Sequence, residues 1–221
     1  MKPARTLIVS AIFAVIAAGV AIWLYPHLPA RVPIHWDGQG HANGYASRFW
    51  GVAIWPLMII VLAALTVLLP CISPRRFAIT PFADVYGGLM LAIQGAMLVI
   101  GVTAQLGSAG YPVPISTVVP LVAGVLLVVV GNYMGKLRRN FFVGIKTPWT
   151  LASEAVWERT HRLGGWLFVL AGVAMVVDAL AGGAGWWMLV AVAVACLVPA
   201  AYSYVVYRRL EGRHPSMGGR S

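Results

Sequence analysis

Charge is what this chain has least of. Charged residues fill 10% of its 221 positions, against about 25% in a soluble domain. Only six of them are acidic. A water-facing surface of ordinary composition is therefore excluded. Cysteine is nearly absent, and Cys71 and Cys196 fall beside and inside separate apolar runs with no Cys-x-x-Cys; a disulfide framework is excluded as well. Neither His35 nor His41 pairs with a Ser or Cys in a recognisable hydrolase motif. No internal repeat of the kind that marks an alternating-access transporter is visible.

What fills the chain instead is apolar: hydrophobic residues make up 60%. Six runs, at 7–25, 50–69, 85–106, 115–134, 164–180 and 186–207, come near the roughly 20 residues that a helix needs to cross about 30 Å of hydrocarbon. The expected fold is all-α, a polytopic integral membrane protein with six transmembrane helices. Fourteen of the sixteen Lys and Arg fall in alternate inter-run segments, leaving Arg31 and Arg48 on the other side. Cytoplasmic loops hold such an excess, so both termini are expected on the cytoplasmic face. The net charge of +10 then reads as topology, and direct nucleic-acid binding is not expected, because the cations sit in clusters between apolar runs. Trp186 and Trp187 at one end of the last run, and Tyr202, Tyr204 and Tyr207 at the other, suit aromatic belts. The first run resembles a signal peptide but continues through Trp23, Leu24 and Tyr25, beyond the usual apolar stretch of about 7 to 15 residues. An uncleaved helix is expected.

Two connections are long, 26–49 outside and 135–163 inside, and long loops in a compact fold are usually functional or disordered. The outer one carries Asp37-Gly38 and Asn43-Gly44 as turn signals, with Pro29 and Pro33 holding it extended. His35, Trp36, Asp37, His41 and Tyr45 give it a polar, aromatic surface. His35, Asp37 and His41 suit Zn²⁺ by ligand type, but the intervening glycines leave ligand geometry unset. No metal is assigned. In the inner loop, Thr150 or Ser153 can cap a helix running to about Arg162. Glu154, Trp157, Glu158 and His161 then share one face, and Ala152, Ala155, Val156 and Leu163 the other, as in a short helix lying on the membrane or packing under the bundle. Glu158 is expected to pair with Arg162 one turn on. A metal on Glu154, Glu158 and His161 would need a second ligand-bearing helix, which is not found. Trp149 and Trp157 suit interfacial anchors, and the cations and phenylalanines of 136–146 suit an anionic inner leaflet.

Within the runs, Asp178 lies near a helix end and is expected to reach water there. Gln94 and Asn132 suit interhelical hydrogen bonds, and Gly131-x-x-x-Gly135 suits close helix approach. Pro56, Pro120 and Pro199 are candidate kinks.

The stretch 131–165 resembles the SdpI family of bacterial multi-spanning membrane proteins. The resemblance is carried by Gly131-Asn132, Met134, Lys136, Arg138, Asn140, Gly144-Ile145, the run Thr147-Pro148-Trp149-Thr150-Leu151, Val156-Trp157 and Thr160-His161. The outer loop, with Leu28-Pro29, Ile34-His35-Trp36, Gly40, Tyr45 and Arg48, resembles the N-terminal domain of unknown function that commonly precedes that region. The resemblance implies a non-enzymatic immunity protein of the bacterial cytoplasmic membrane, without a cofactor. Its namesake protects against a secreted peptide toxin and, when engaged, holds a small DNA-binding autorepressor at the membrane. Carried over by residue, the expected ligand or partner positions are His35, Trp36, Asp37, Gly40 and Tyr45 outside. Inside they are Asn132, Lys136, Arg138, Asn140, Gly144, Thr147, Pro148, Trp149, Thr150, Trp157 and His161. The expected division is a two-helix unit at 1–70, a linking region at 71–114, an SdpI-like region at 115–207 and a basic tail at 208–221. The alternative is a small transporter or permease for a peptide or lipid-like substrate, with a path lined by Gln94, Gln105, Asn132 or Asp178.

Overall fold

A computed structural model describes residues 3–37, 41–183 and 186–211. Six long helices cross the fold: α1 (Pro3–Leu24), α2 (Arg48–Ile72), α3 (Ala83–Ser108), α4 (Ile115–Met134), α6 (Glu154–Leu180) and α7 (Trp186–Glu211). Each is long and apolar enough to span a bilayer, so the chain is a multi-pass membrane protein. A five-residue helix, α5 (Pro148–Ala152), precedes α6. The outer loop is not merely extended: β1 (Arg31–Trp36) and β2 (Ala42–Ser47) pair antiparallel. Asn43-Gly44 lies inside β2, where the register slips opposite His35, rather than at a turn. Gly38 and Gly40 lie outside the described residues.

Helices α1, α2 and α3 pack on one another, α4 and α7 each pack on α6, and the two groups meet along α3 and α4. The seam between α4 and α6 is set by glycines. A methyl built on Gly131 would lie 2.6 Å from the Gly165 carbonyl oxygen, and one on Gly172 would lie 2.5 Å from the Gly124 oxygen. The two helices are antiparallel, and the contacts recur one heptad apart on each, so bare backbone meets backbone twice along one stripe. Gly131-x-x-x-Gly135 is not the packing motif, because a methyl on Gly135 would meet nothing within 4 Å. Helices α2, α4 and α7 run on through Pro56, Pro120 and Pro199.

The stretch 154–163 is continuous with the fifth span, so α6 begins ten residues before the apolar run and no separate surface helix forms. The charged side chains of this first part point outward, while Val156, Trp157, Thr160 and His161 are buried. Glu158 lies 3.4 Å from Arg138 rather than pairing with Arg162. A carboxylate on the flank of α6 reaches the incoming loop more readily than the next turn of its own helix.

The α1–α3 group encloses polar groups without partners. Gln94 is fully buried on α3, and neither atom of its amide meets a partner among the described residues; the same holds for the Ser10 hydroxyl on α1. An unpaired buried amide costs about 1–3 kcal/mol relative to an apolar group of the same shape. Gln94→Met, which keeps the volume, is therefore expected to raise the thermal midpoint of the detergent-solubilised protein. A clear fall in that midpoint would show that the amide is paired.

Candidate functional site

The hairpin is seated by small and branched residues. Val32 is buried against Ala21, Leu28 and Val52, and α2 brings Gly51 so close that an added methyl would sit 2.6 Å from the Val32 Cβ. The Arg48 side chain reaches back to the Pro29 carbonyl at 3.4 Å, and its backbone N–H donates to Ala30 at 3.0 Å. Thus anchored, β1 presents Ile34, His35 and Trp36, with Asp37 just after it, over a cleft of about 280 Å³. Trp55 of α2, Ile100 of α3, Ser116, Val119 and Pro120 of α4 and Met188 of α7 line the rest of it. Both helix groups therefore contribute. The floor is apolar and the rim polar, the usual composition of a small-ligand or peptide-side-chain site.

The rim is partly ordered by its own hydrogen bonds. His35 Nδ1 meets Asn43 Oδ1 at 2.5 Å, and Asp37 Oδ1 accepts from the His41 backbone N–H at 2.9 Å. His41 Nδ1 lies 3.5 Å from Asp37 Oδ2. His35 turns to Asn43, and no group of three or more potential metal ligands occurs among the described residues. Tyr45 lies on β2 under the Arg31 guanidinium, 5.7 Å from the ring centre, and does not line the cleft.

At the opposite, basic end of the bundle, loop and helix interlock. Asn140 is fully buried and its amide uses both ends: Oδ1 accepts from Phe142 and Val143 N–H at 2.8 and 2.7 Å. Its Nδ2 donates to the Arg138 and Val143 carbonyls at 2.8 and 3.0 Å. Gly144 follows with φ of +113°, a conformation open chiefly to glycine. A side chain there would also strike His161 Nε2. The freed approach lets the Ile145 N–H donate to His161 Nε2 at 3.0 Å, while Nδ1 donates to the Trp157 carbonyl at 2.8 Å. One nitrogen accepts and the other donates, so the ring is the neutral Nδ1–H tautomer. Trp157 stacks on this imidazole at 3.9 Å and donates its indole N–H to the Leu137 carbonyl at 2.8 Å.

The Thr-Pro-Trp-Thr run is a helix start. Thr147 and Thr150 form a reciprocal capping box with Pro148 in the first turn, where a missing N–H costs nothing. Ser153, as its residue type indicates, caps α6 through the Val156 N–H. The Thr147 hydroxyl also meets Ser203 of α7 at 2.9 Å, and Trp149 packs on Tyr204 of α7 at 5.0 Å. Arg139 donates to the Leu151 carbonyl at 3.1 Å and lies 3.2 Å from Glu154, near enough for an ion pair but not aligned as a hydrogen bond.

The sequence-derived positions thus divide. His35, Trp36 and Asp37 come together at the cleft, and Gly40 lies outside the described residues. Asn140, Gly144, Thr147, Thr150, Trp157 and His161 come together in the interlocked loop, where their polar groups serve the fold. Trp157 is inside rather than at an interface. Lys136, Arg138 and Pro148 are exposed around that loop, and Asn132 faces outward from α4. Sequence reasoning missed Trp55, Ile100 and Met188, which look like any other apolar residue of a span. The four polar residues proposed for a transport path are scattered. Gln94 and Gln105 are buried on α3, and Asn132 faces outward. Asp178 turns to the next helix, accepting the Trp187 indole N–H at 3.0 Å instead of reaching into water.

Residues 136–203 match the SdpI/YfhL protein family, and residues 12–60 match a domain of unknown function, DUF1648. The immunity protein SdpI of Bacillus subtilis (strain 168) is 27% identical over 209 residues, covering 93% of this chain and 97% of that protein. No solved structure matches the chain.

Proposed function

We propose that this chain, which carries the SdpI/YfhL region at 136–203 behind a DUF1648 segment, is a membrane immunity protein that protects its cell from a secreted antimicrobial peptide. The match to an immunity protein along nearly the whole length of both chains supports the reading. The observation that carries it further is the cleft under the hairpin, where Trp36 and the apolar ends of α2, α3, α4 and α7 meet beneath a polar rim. On this reading the hairpin faces outward and both termini lie in the cytoplasm, an orientation that the distribution of cations supports. An apolar side chain of the peptide would enter the cleft while His35 and Asp37 meet its backbone or charge. Aromatic residues in such pockets supply much of the binding energy in peptide recognition.

The same reading gives the basic end a second task. Lys136 and Arg138, with Lys146 and Pro148 beside them, form an exposed rim suited to the acidic surface of a small DNA-binding partner held at the membrane. Occupation of the cleft would reach them only by favouring one arrangement of the two helix groups.

The test is survival. The chain is expressed in sensitive cells challenged with a panel of secreted bacterial peptides, beside Trp36→Ala, Ser116→Trp and Trp149→Ala. Protection by the wild-type chain is expected to fall at least tenfold, about 1.4 kcal/mol of lost affinity, in the two cleft variants at unchanged membrane levels. Trp149→Ala, at the far end, is expected to protect. Protection that survives both cleft variants would remove the cleft from the mechanism.

A further inference from the structure

The outer flank of α4 and α6 holds a groove of about 280 Å³ near the basic end, lined by Asn132, Arg162, Trp166 and Val169 over Gly131 and Gly165. It exists because the glycine seam brings the two backbones together without side chains to fill the valley between them. Its depth in the membrane follows from helix geometry. Arg162 stands eighteen residues before the end of α6 at Leu180, roughly 27 Å along the axis, so about 30 Å of hydrocarbon ends close to it. Asn132 is two residues from the end of α4. The groove therefore opens at the level of lipid headgroups.

Three of its side chains are hydrogen-bond donors without protein partners. Because Glu158 is taken by Arg138, Arg162 makes no ion pair or hydrogen bond among the described residues, and the same holds for the Asn132 amide and the Trp166 indole N–H. Trp166 is 67% exposed, and Leu170 and Val173 continue outward along the same helix. A guanidinium, an amide and an indole N–H in one groove, with an apolar strip leading toward the membrane centre, complement an anionic headgroup with its acyl chain lying along α6.

We propose that this groove is a binding site for one anionic glycerophospholipid of the phosphatidylglycerol type. Arg162 and Asn132 hold its phosphate, the Trp166 indole meets the glycerol region, and an acyl chain runs past Val169 and Leu170. The site is independent of the immunity reading.

Native mass spectrometry of the full chain, released from micelles holding equal phosphatidylglycerol and phosphatidylcholine, tests it. The wild-type chain is expected to retain phosphatidylglycerol over phosphatidylcholine by about fivefold or more, the share that one cation contributes at an anionic surface. Arg162→Gln and Asn132→Leu are each expected to bring that ratio toward one, whereas Arg209→Gln on α7 leaves it in place. Inorganic phosphate at millimolar concentration is expected not to displace the adduct, which separates a lipid site from a phosphate site. Equal retention of the two lipids by the wild-type chain, an unchanged ratio in both groove variants, or an equal loss in Arg209→Gln would overturn the assignment. So would displacement by phosphate.

Discussion

Trp157→Ala is expected to destabilise the protein by about 3–5 kcal/mol, the range for removing a fully buried large aromatic. Three losses coincide at this residue. The indole fills the cluster formed by Ile79, Phe82, Tyr86, Leu89, Met90, Met134 and Leu137, which joins α3 to the SdpI-like half. It also covers the His161 ring and donates to the Leu137 carbonyl. Without it the carbonyl is left buried and unpaired, and the His161 ring loses its stacking partner. Trp157→Phe separates the terms: it keeps most of the packing and forfeits the N–H donor, so a smaller loss of about 1–3 kcal/mol is expected. Thermal unfolding in detergent, followed by near-ultraviolet circular dichroism, measures both. Equal losses in the two variants would assign the whole effect to the hydrogen bond, and a loss under about 1 kcal/mol in the alanine variant would contradict the burial of the indole.

Gly131→Val is expected to cost about 3 kcal/mol, by overpacking rather than by a cavity. Its first added carbon would stand 2.6 Å from the Gly165 carbonyl oxygen, 2.8 Å from the Val169 nitrogen and 2.9 Å from the Phe168 Cβ. Two of these three neighbours are backbone and cannot swing aside, so α4 and α6 must separate along their length. Overpacking usually costs about 1–3 kcal/mol and sometimes more, and a rigid backbone-on-backbone seam belongs at the upper end. Gly172→Val meets the same obstacle one heptad away. Gly135→Ala, where nothing approaches, is expected to change stability by no more than about 0.5 kcal/mol. Comparing accumulation and thermal midpoints of these variants decides which glycines form the seam. A Gly135→Ala defect matching that of Gly131→Val would restore the four-residue motif.

The misread part of the chain is instructive. Residues 154–163 look like loop or surface helix because Glu154, Glu158, Arg159 and Arg162 crowd into it. The structure extends α6 through them because the intervening Val156, Trp157, Thr160 and His161 carry the stripe that faces the core. Charge content marks where the apolar run begins, not where the helix begins. The sequence pairs Gly131 with Gly135 because both stand on one helix, whereas the effective spacing is the heptad to Gly124, visible only when the antiparallel partner with Gly165 and Gly172 is set beside it. Asn140, Gly144, Thr147 and Thr150 were legible as a motif but not in role. Which of their polar atoms meet solvent and which meet the chain depends on how the loop folds back onto α6 and α7.

By itself, the order of residues determined that this chain is a bundle of six membrane-crossing helices with a basic end and one poor in cations. It also carries the likeness to the SdpI/YfhL family at 136–203 and marks the two long connections as the places to look for a site. Those properties follow from local quantities, namely apolar length against bilayer thickness, the cost of unpaired backbone in hydrocarbon and the placement of cations. Tertiary structure alone decided that His35, Trp36 and Asp37 roof a cleft floored by four separate helices, that Trp157 and His161 turn inward, and that Asn132, Arg162 and Trp166 share a groove. The reason is that each arrangement depends on which faces of different helices meet. That choice is set by the close approach of glycines and by the pairing of buried polar groups, which no single segment encodes.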